Sequence, residues 1–509
     1  MSSQNPSNET LFISVLILFI LVIFWKMISK IVVKSPPGPW KLPMIGNLHQ
    51  LVSTLPHRTL RDLAKQHGPI MHLKMGQLET IIISSAKGAQ EVLKTHELSL
   101  SQRPQVLAVE VMSYGQSSVV FAPYGDFWRE LRKISVCELL SAKRVQSFRS
   151  IREEEVWSLL ESVSNMSPSS SFNFSEKIFA LTYGIVSRAA FGKRCSDQVQ
   201  KEFTSLVEEA IKLAAGFDVP DLFPSLKFLG YLTGSIPAMR NMRDKLGIIL
   251  DGIINDHIVV DGHDYDNEDF VDVLLRLQQS NKLGFDFTTS KIKDVIMDFF
   301  SAGSETSATT TEWAMSELMR NPEVMKKAQA EVRQLLVNRL EGKKRIEEAD
   351  VQTLDYLKAV VKETLRLHPT IPLIPREARE RCEISGYQVA VKTKVIVNEW
   401  AMGRDAENWV DPESFKPERF LHIHGDKVSS NNIDFKGSNF EFIPFGAGRR
   451  ICPGISFATA MIELALAQLL YHFDWKLPSG IKPDELDMSE TFGVTCRRKN
   501  DLYLIATPH

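Results

Sequence analysis

A mainly α fold with small β-sheets, carried behind one membrane-spanning helix, follows from three observations. Helical periodicity dominates from Ala86 onward, the β-type runs are short and few, and Leu11 to Trp25 is almost continuously apolar. With Met27, Ile28 and Ile31 to Val33, that last stretch is just long enough to cross a bilayer.

A cleaved signal peptide has basic residues before its apolar run, whereas Lys26, Lys30 and Lys34 all follow this one. By the positive-inside rule these lysines keep the C-terminal side cytosolic, so the sequon at Asn8 faces the lumen and those at Asn165 and Asn173 stay unmodified. Residues 1–33 are therefore read as a lumenal tip and anchor, 34–46 as a proline-rich hinge, and 47–509 as one large cytosolic domain.

The hinge opens with Pro36-Pro37-Gly38-Pro39, through which no helix continues, because proline fixes the backbone and removes amide donors. Two short strands follow, His72 to Met75 and Thr80 to Ser84, on either side of Gly76. Ser164 to Ser171 and the acidic Asp261 to Asp269 are read as surface loops. The longest helical pattern runs from near Ser290 to about Arg320, where Asn321-Pro322 stops it, and is long enough to cross the domain. Strands return at Val395 to Asn398 and at the C-terminus.

Composition excludes several classes. The chain has 509 residues, 44% hydrophobic and 24% charged, so it can bury a sizeable core. A formal net charge of -2 and no aromatic-interleaved basic tract argue against nucleic acid and for a small-molecule partner. The five cysteines, Cys137, Cys195, Cys382, Cys452 and Cys496, are widely spaced and odd in number, which fits neither a disulfide framework nor a structural zinc site.

One of them stands in a chemically distinctive string, Pro444-Phe445-Gly446-Ala447-Gly448-Arg449-Arg450-Ile451-Cys452-Pro453-Gly454, which leads into the apolar helix Ile455 to Leu470. Glycines let backbone amides approach the sulfur, and the arginines and helix dipole favour thiolate over thiol. A thiolate can ligate iron. Elsewhere, Glu363 and Arg366 lie three apart on a helix, with Arg419 about fifty residues on. In mid-helix, Ala302-Gly303-Ser304-Glu305-Thr306-Ser307 weakens the local ladder and can open a kink.

The cysteine string resembles the haem-binding loop of the cytochrome P450 superfamily, matching its pattern at Phe445, Gly446, Gly448, Arg450, Cys452 and Gly454. The resemblance covers nearly the whole chain. It implies a haem b between the long central helix and the loop, with Cys452 as axial ligand and metal-binding residue. It also implies that Glu363, Arg366 and Arg419 form a buried charge triad, and that Glu305 and Thr306 supply protons for oxygen activation. Trp128 and Arg132, with Arg376, Arg450 and Phe445, complete the expected haem-binding set. Arg129, Lys133, Lys143 and Arg144 are read as a docking face for an acidic electron donor or as a plain solvated face.

Trp40 to Pro43, Leu60 to Ala64, Gly216 to Val219 and Leu469 to Leu477 resemble the plant microsomal branch that oxidises terpenoids and monoterpene indole alkaloids. The implied activity is insertion of one oxygen atom by an endoplasmic reticulum enzyme. Its electrons come from NADPH through a cytochrome P450 reductase, with cytochrome b5 as a further partner. The substrate expected is a tabersonine-type alkaloid; the alternatives are sesquiterpenoid or diterpenoid hydroxylation, or a net coupling, desaturation or rearrangement. Substrate-facing residues are expected in Val106 to Phe121, near Leu213 to Phe217, and at Asp298 to Ala302, Thr370 to Ile374 and Phe492 to Val494. The loop Thr370 to Ile374 is one residue shorter than the pattern of similar members, so regiochemistry does not carry over.

Overall fold

The computed structural model describes residues 35–509 apart from 52–54, 116, 168–169, 193–196, 214–218, 260–267, 281–282, 340–345 and 422–432. The expected anchor and most of the acidic 261–269 stretch lie outside the described residues, as do Cys195 and 214–217 of the expected substrate-facing set. Glu268 and Asp269, at the end of that acidic stretch, are buried and paired, so this part is no surface loop.

Five helices position the site: α1 (Asp126–Ile134), α2 (Phe174–Phe191), α3 (Thr289–Arg320), α4 (Asp355–Leu367) and α5 (Ile455–His472). α3 starts one residue before the expected Ser290 and ends at Asn321, and Pro322 opens the next helix. At about 1.5 Å per residue it is about 48 Å long. It packs against α2, α4 and α5, and every residue from Ser307 to Met319 is buried. One turn earlier Ala302 is exposed.

At the expected kink α3 is assigned helix throughout. Its hydroxyls fold back instead onto carbonyls four residues earlier, Ser301 to Met297, Ser304 to Phe300 and Thr306 to Ala302, each at 2.7 Å. α5 is also long and apolar enough to cross a membrane, a second such stretch that sequence reading passed over, yet it is a core helix. Met461 to Leu470 are all buried within the protein.

The main sheet holds β1 (Ile70–Met75), β2 (Leu78–Ile83), β3 (Leu373–Glu377) and β4 (Lys394–Asn398), in spatial order β1-β2-β4-β3. β1 and β2 form a hairpin in which Met75 faces Leu78 across Gly76-Gln77. Gly76 sits at φ +61°, and a Cβ there would lie 2.5 Å from the Leu222 carbonyl oxygen, so conformation and space both demand glycine. β4 runs parallel to β2 and antiparallel to β3. A short C-terminal hairpin, β5 (Glu490–Phe492) and β6 (Cys496–Arg498), lies against α3. Trp313 of α3 anchors it: its indole donates to the Cys496 carbonyl at 3.2 Å, and its ring stacks on His368 at 4.0 Å.

Candidate active site

The glycine-rich loop ends where α5 begins, which fixes the cysteine. Gly446 and Gly448 have φ +71° and +69°, and a Cβ on Gly448 would overlap the Leu93 carbonyl. The turn so formed lets Cys452 N donate to the Phe445 carbonyl at 2.9 Å and brings Gly454 N to 3.3 Å from Cys452 Sγ. Burial pushes the Cys452 thiol up, while the Gly454 amide and the Arg132 charge pull it down. For Cys496, burial and the Glu490 charge outweigh the charges of Arg58 and Arg404 and push its thiol far up. The Phe445 ring packs on Phe435 at 5.2 Å.

Around the loop the structure gathers four arginines. Arg132 donates to the Ile451 carbonyl, next to Cys452. Arg450 Nε donates to the Ser101 carbonyl at 2.7 Å and Nη2 to the Ala122 carbonyl at 2.7 Å. Its guanidinium lies 4.4 Å over the Trp128 ring. Arg376 and Arg103 are buried, and both donate to the Pro375 carbonyl, at 3.0 and 2.7 Å. Burial lowers Arg450 to about 9 and Arg103 to about 10, and drives Arg376 well below the ordinary arginine value. Neighbouring guanidiniums lower Arg376 and Arg450 further. Among the described residues no carboxylate pairs with any of the four, and Arg103 Nε is buried without a partner. An anion bound among them would offset this buried charge.

One sequence expectation is corrected here, that for Arg144. The Trp128 indole N–H donates to the Val119 carbonyl at 2.9 Å. Arg144 is no docking residue, since it is bound to buried Glu268 at 3.0 Å. Arg129 and Lys133 are paired within α1, with Asp126 and Glu130, while Lys143 is exposed. Arg103 was invisible in sequence; the only signal is an arginine placed before proline in an extended loop.

The charge triad is assembled. Glu363 is fully buried and accepts from Arg366 Nε and Nη2 at 2.7 Å each, from Arg419 Nε at 3.0 Å and from the Lys416 amide at 2.7 Å. Arg366 uses its remaining donors on the Gly403, Pro412 and Ser414 carbonyls. A Cβ on Gly403 would lie 2.5 Å from the Arg366 carbonyl oxygen, so the glycine is what lets these strands of chain close.

Glu305 and Thr306 are neighbours in sequence without a hydrogen bond between them. Glu305 is buried and turned toward the C-terminal hairpin, where Thr495 Oγ1 donates to it at 2.5 Å and Arg497 lies 3.7 Å away. Thr306 is half-buried one residue on from that contact and four from exposed Ala302. Of the expected substrate-facing loop, Ile371 is 40% exposed, and Thr370 is tied to the hairpin through the Cys496 amide at 2.8 Å.

A cysteine loop capped by a helix that packs on a hydroxyl-rich helix, and flanked by arginines without carboxylate partners among the described residues, fits a haem-thiolate protein. The family model described as cytochrome P450 matches residues 36–505, and the chain belongs to that family. Melianol synthase CYP71BQ17 of Ailanthus altissima is 55% identical over 504 residues, covering 98% of this chain and 95% of the relative. Premnaspirodiene oxygenase of Hyoscyamus muticus is 50% identical over 491 residues, covering 95% of each. A solved zebra fish cytochrome P450 with progesterone shares the fold, with a TM-score of 0.75, 24% identity, and 89% of this chain and 99% of that one covered. As a family member the chain is a haem-thiolate monooxygenase, supplied with electrons from NADPH by a reductase and acting on an apolar substrate. The residues present fit the cofactor, because its two propionates are the anions that the unpaired arginines require.

Proposed function

We propose that this chain inserts one oxygen atom into a terpenoid, with Cys452 as the haem ligand and the cavity beside Ala302 as the substrate site. The observation that carries the site assignment is the buried arginine cluster without carboxylate partners next to the Cys452 loop. When bound, the haem supplies dioxygen activation, with the thiolate pushing electron density onto iron.

The chain's own residues do the rest. Gly454 N–H and Arg132 favour the Cys452 thiolate against the burial that pushes the thiol up, and a bound metal would complete that balance. Arg376, Arg450 and Arg132 receive the propionates, and Trp128 braces Arg450 from below. Thr306 Oγ1 hands a proton into the cavity, and Glu305, by releasing Thr495 and turning, resupplies it. Buried α3 beyond Ser307 keeps bulk water from the far side.

The substrate class rests on the relatives named above, which are named for terpenoids; they favour a terpenoid over the alkaloid expected from sequence alone. Residues 1–33 anchor the enzyme in the endoplasmic reticulum, with the catalytic domain cytosolic, where a cytochrome P450 reductase and cytochrome b5 reach it; the lysines after the apolar run support this orientation.

The test is product analysis from microsomes holding the chain and a plant reductase, given NADPH, heavy dioxygen and a panel of terpenoids with tabersonine included. A terpenoid product carrying one heavy oxygen is expected. Oxidation of tabersonine alone contradicts the substrate class. Thr306→Ala is expected to cut product formed per NADPH consumed by about a hundredfold, the lower end for positioned proton transfer; unchanged coupling removes Thr306 from the relay.

A further inference from the structure

Away from the Cys452 loop, one buried pocket gathers metal-binding side chains from distant segments. Glu490 opens β5 and Cys496 opens β6. In that hairpin Arg498 faces Glu490 and Cys496 faces Phe492, so Glu490 and Cys496 share one face, two residues apart in register. That face meets the helix Pro56–His67, where the His57 ring lies 5.8 Å from Phe492. One ligand atom each of His57, Glu490 and Cys496 lie within 4.8 Å of one another, and all three residues are buried. His368, which follows α4, brings its Nδ1 to 4.0 Å from Glu490 Oε1.

His368 is prepared for a cation. Its Nε2–H donates to Glu317 Oε1 at 2.7 Å, and its ring stacks on Trp313 at 4.0 Å, so tautomer and orientation are both fixed. A carboxylate on one ring nitrogen leaves the other as a lone pair, which is how metal-ligating histidines are held. Among the described residues His368 Nδ1 is buried without a hydrogen-bond partner, and Glu490, an acceptor itself, has no proton to give it. His57 Nδ1 is buried and unpartnered as well. Glu490 Oε2 is already held, by His57 Nε2 at 3.1 Å and by Arg58 Nε and Nη2 at 2.9 and 2.7 Å.

We propose that His57, Glu490, Cys496 and His368 bind one Zn2+ ion, which pins the N-terminal helix, the end of α4 and the C-terminal hairpin to one another. Two imidazoles, a carboxylate and a thiolate suit the tetrahedral preference of zinc, and four protein ligands make the site structural. Zinc bonds of about 2.0–2.3 Å put ligand atoms about 3.3–3.6 Å apart, so small side-chain rotations close the observed spacing. The cysteine spacing argued against a structural zinc site; this one draws its ligands from segments far apart in the chain, which spacing does not reveal.

Charge permits the ion. The carboxylates Glu317, Glu413 and Glu490 face the guanidiniums Arg58 and Arg404, which leaves one negative charge, and Zn2+ in place of the Cys496 thiol proton adds one positive. Burial keeps that thiol protonated until a metal binds, and a coordinating dication deprotonates it outright. In acid, protons displace the metal, and Glu490 then answers to His57, His368 and Arg58 alone.

The experiment uses haem-loaded full-length enzyme made without a polyhistidine tag, equilibrated with zinc chloride and dialysed against a weak chelator. Zinc is counted by mass spectrometry, its ligand shell is read from zinc X-ray absorption, and its affinity from competition with a fluorescent chelator. About one zinc per chain is expected, with one sulfur at about 2.3 Å and nitrogen or oxygen at about 2.0–2.2 Å. Glu317→Gln is expected to weaken zinc about tenfold and Cys496→Ser by more, both with the carbon monoxide spectrum unchanged.

A wild-type protein without zinc after dialysis overturns the site without recourse to any variant, and so does a zinc shell without sulfur. Unchanged affinity in Cys496→Ser overturns the ligand set. If Cys496→Ser does not fold, the wild-type shell and Glu317→Gln decide, and unchanged affinity in Glu317→Gln contradicts the role of His368. The zinc count does not depend on Cys452, so a missing thiolate-type carbon monoxide band contradicts the haem assignment and leaves the zinc result standing.

Discussion

Two groups of arginines, one on Glu363 and one beside the cysteine loop, are built on opposite terms. Arg366 and Arg419 share the fully buried carboxylate of Glu363, and Arg366 spends its other donors on three carbonyls. Arg103, Arg376 and Arg450 have backbone carbonyls as partners, no carboxylate among the described residues, and one another's charge close by. Both groups bear the desolvation cost of buried charge. Only the first repays it within the protein, so the first reads as scaffold and the second as a receptor for a dianion. A buried charge in balance holds a fold together; one out of balance marks where something binds.

The largest effect expected is in the balanced group. Glu363→Ala strands the buried Arg366 guanidinium and frees the partly exposed Arg419, and should lower stability by about 3–5 kcal/mol, with folded haem protein lost together with it. Thermal unfolding and haem content of the variant check this, and a near-normal melting temperature would dissolve the distinction.

A second balanced carboxylate offers a pH test. Burial pushes Glu490 up, but the His57 hydrogen bond and the charges of His368 and Arg58 outweigh it and hold the carboxyl at about 2. A folded value below the ordinary 4.5 means stability that is present above 4.5 and lost as pH falls toward 2. At about 1.4 kcal/mol per unit this is worth about 3 kcal/mol. Glu490→Gln should therefore lower the melting temperature at neutral pH and flatten its decline between pH 4.5 and 2. An unchanged acid limb would show that the pairing contributes nothing.

The unbalanced group should behave in the reverse sense. Arg376→Met removes a buried charge that has no counter-charge, so the haem-free protein should be as stable as wild type or more so, while haem is retained about tenfold less well. Haem transfer to apomyoglobin and unfolding of the haem-free form separate the two quantities. Loss of haem-free stability would place Arg376 with the scaffold.

Sequence made much of this legible where chemistry is local. The cysteine loop, the triad spacing, α3 to within a residue of its ends and the Gly76 hairpin are all written in short runs of chain. What stayed hidden depends on contacts between distant segments. Nothing near Arg103 says that it will lie beside Arg376, and nothing near Thr495 says that its hydroxyl will hold Glu305. The aspartates at 294 and 298 look like ordinary helix polarity until the Ser117 and Val119 amides are found to donate to them. Arg144 misled because surface and buried ion pairs have the same spelling; burial of Glu268 decides. The hydroxyls at the expected kink bond back to carbonyls four residues earlier, a local contact that the spacing allows.

The assignment on which everything else turns is the cysteine. Wild type, Cys452→Ser and Cys496→Ser should be compared by the carbon monoxide difference spectrum of the reduced full-length protein. Wild type and Cys496→Ser are expected to give the thiolate-type band, and Cys452→Ser to lose it. A thiolate-type band that survives in Cys452→Ser would contradict the account.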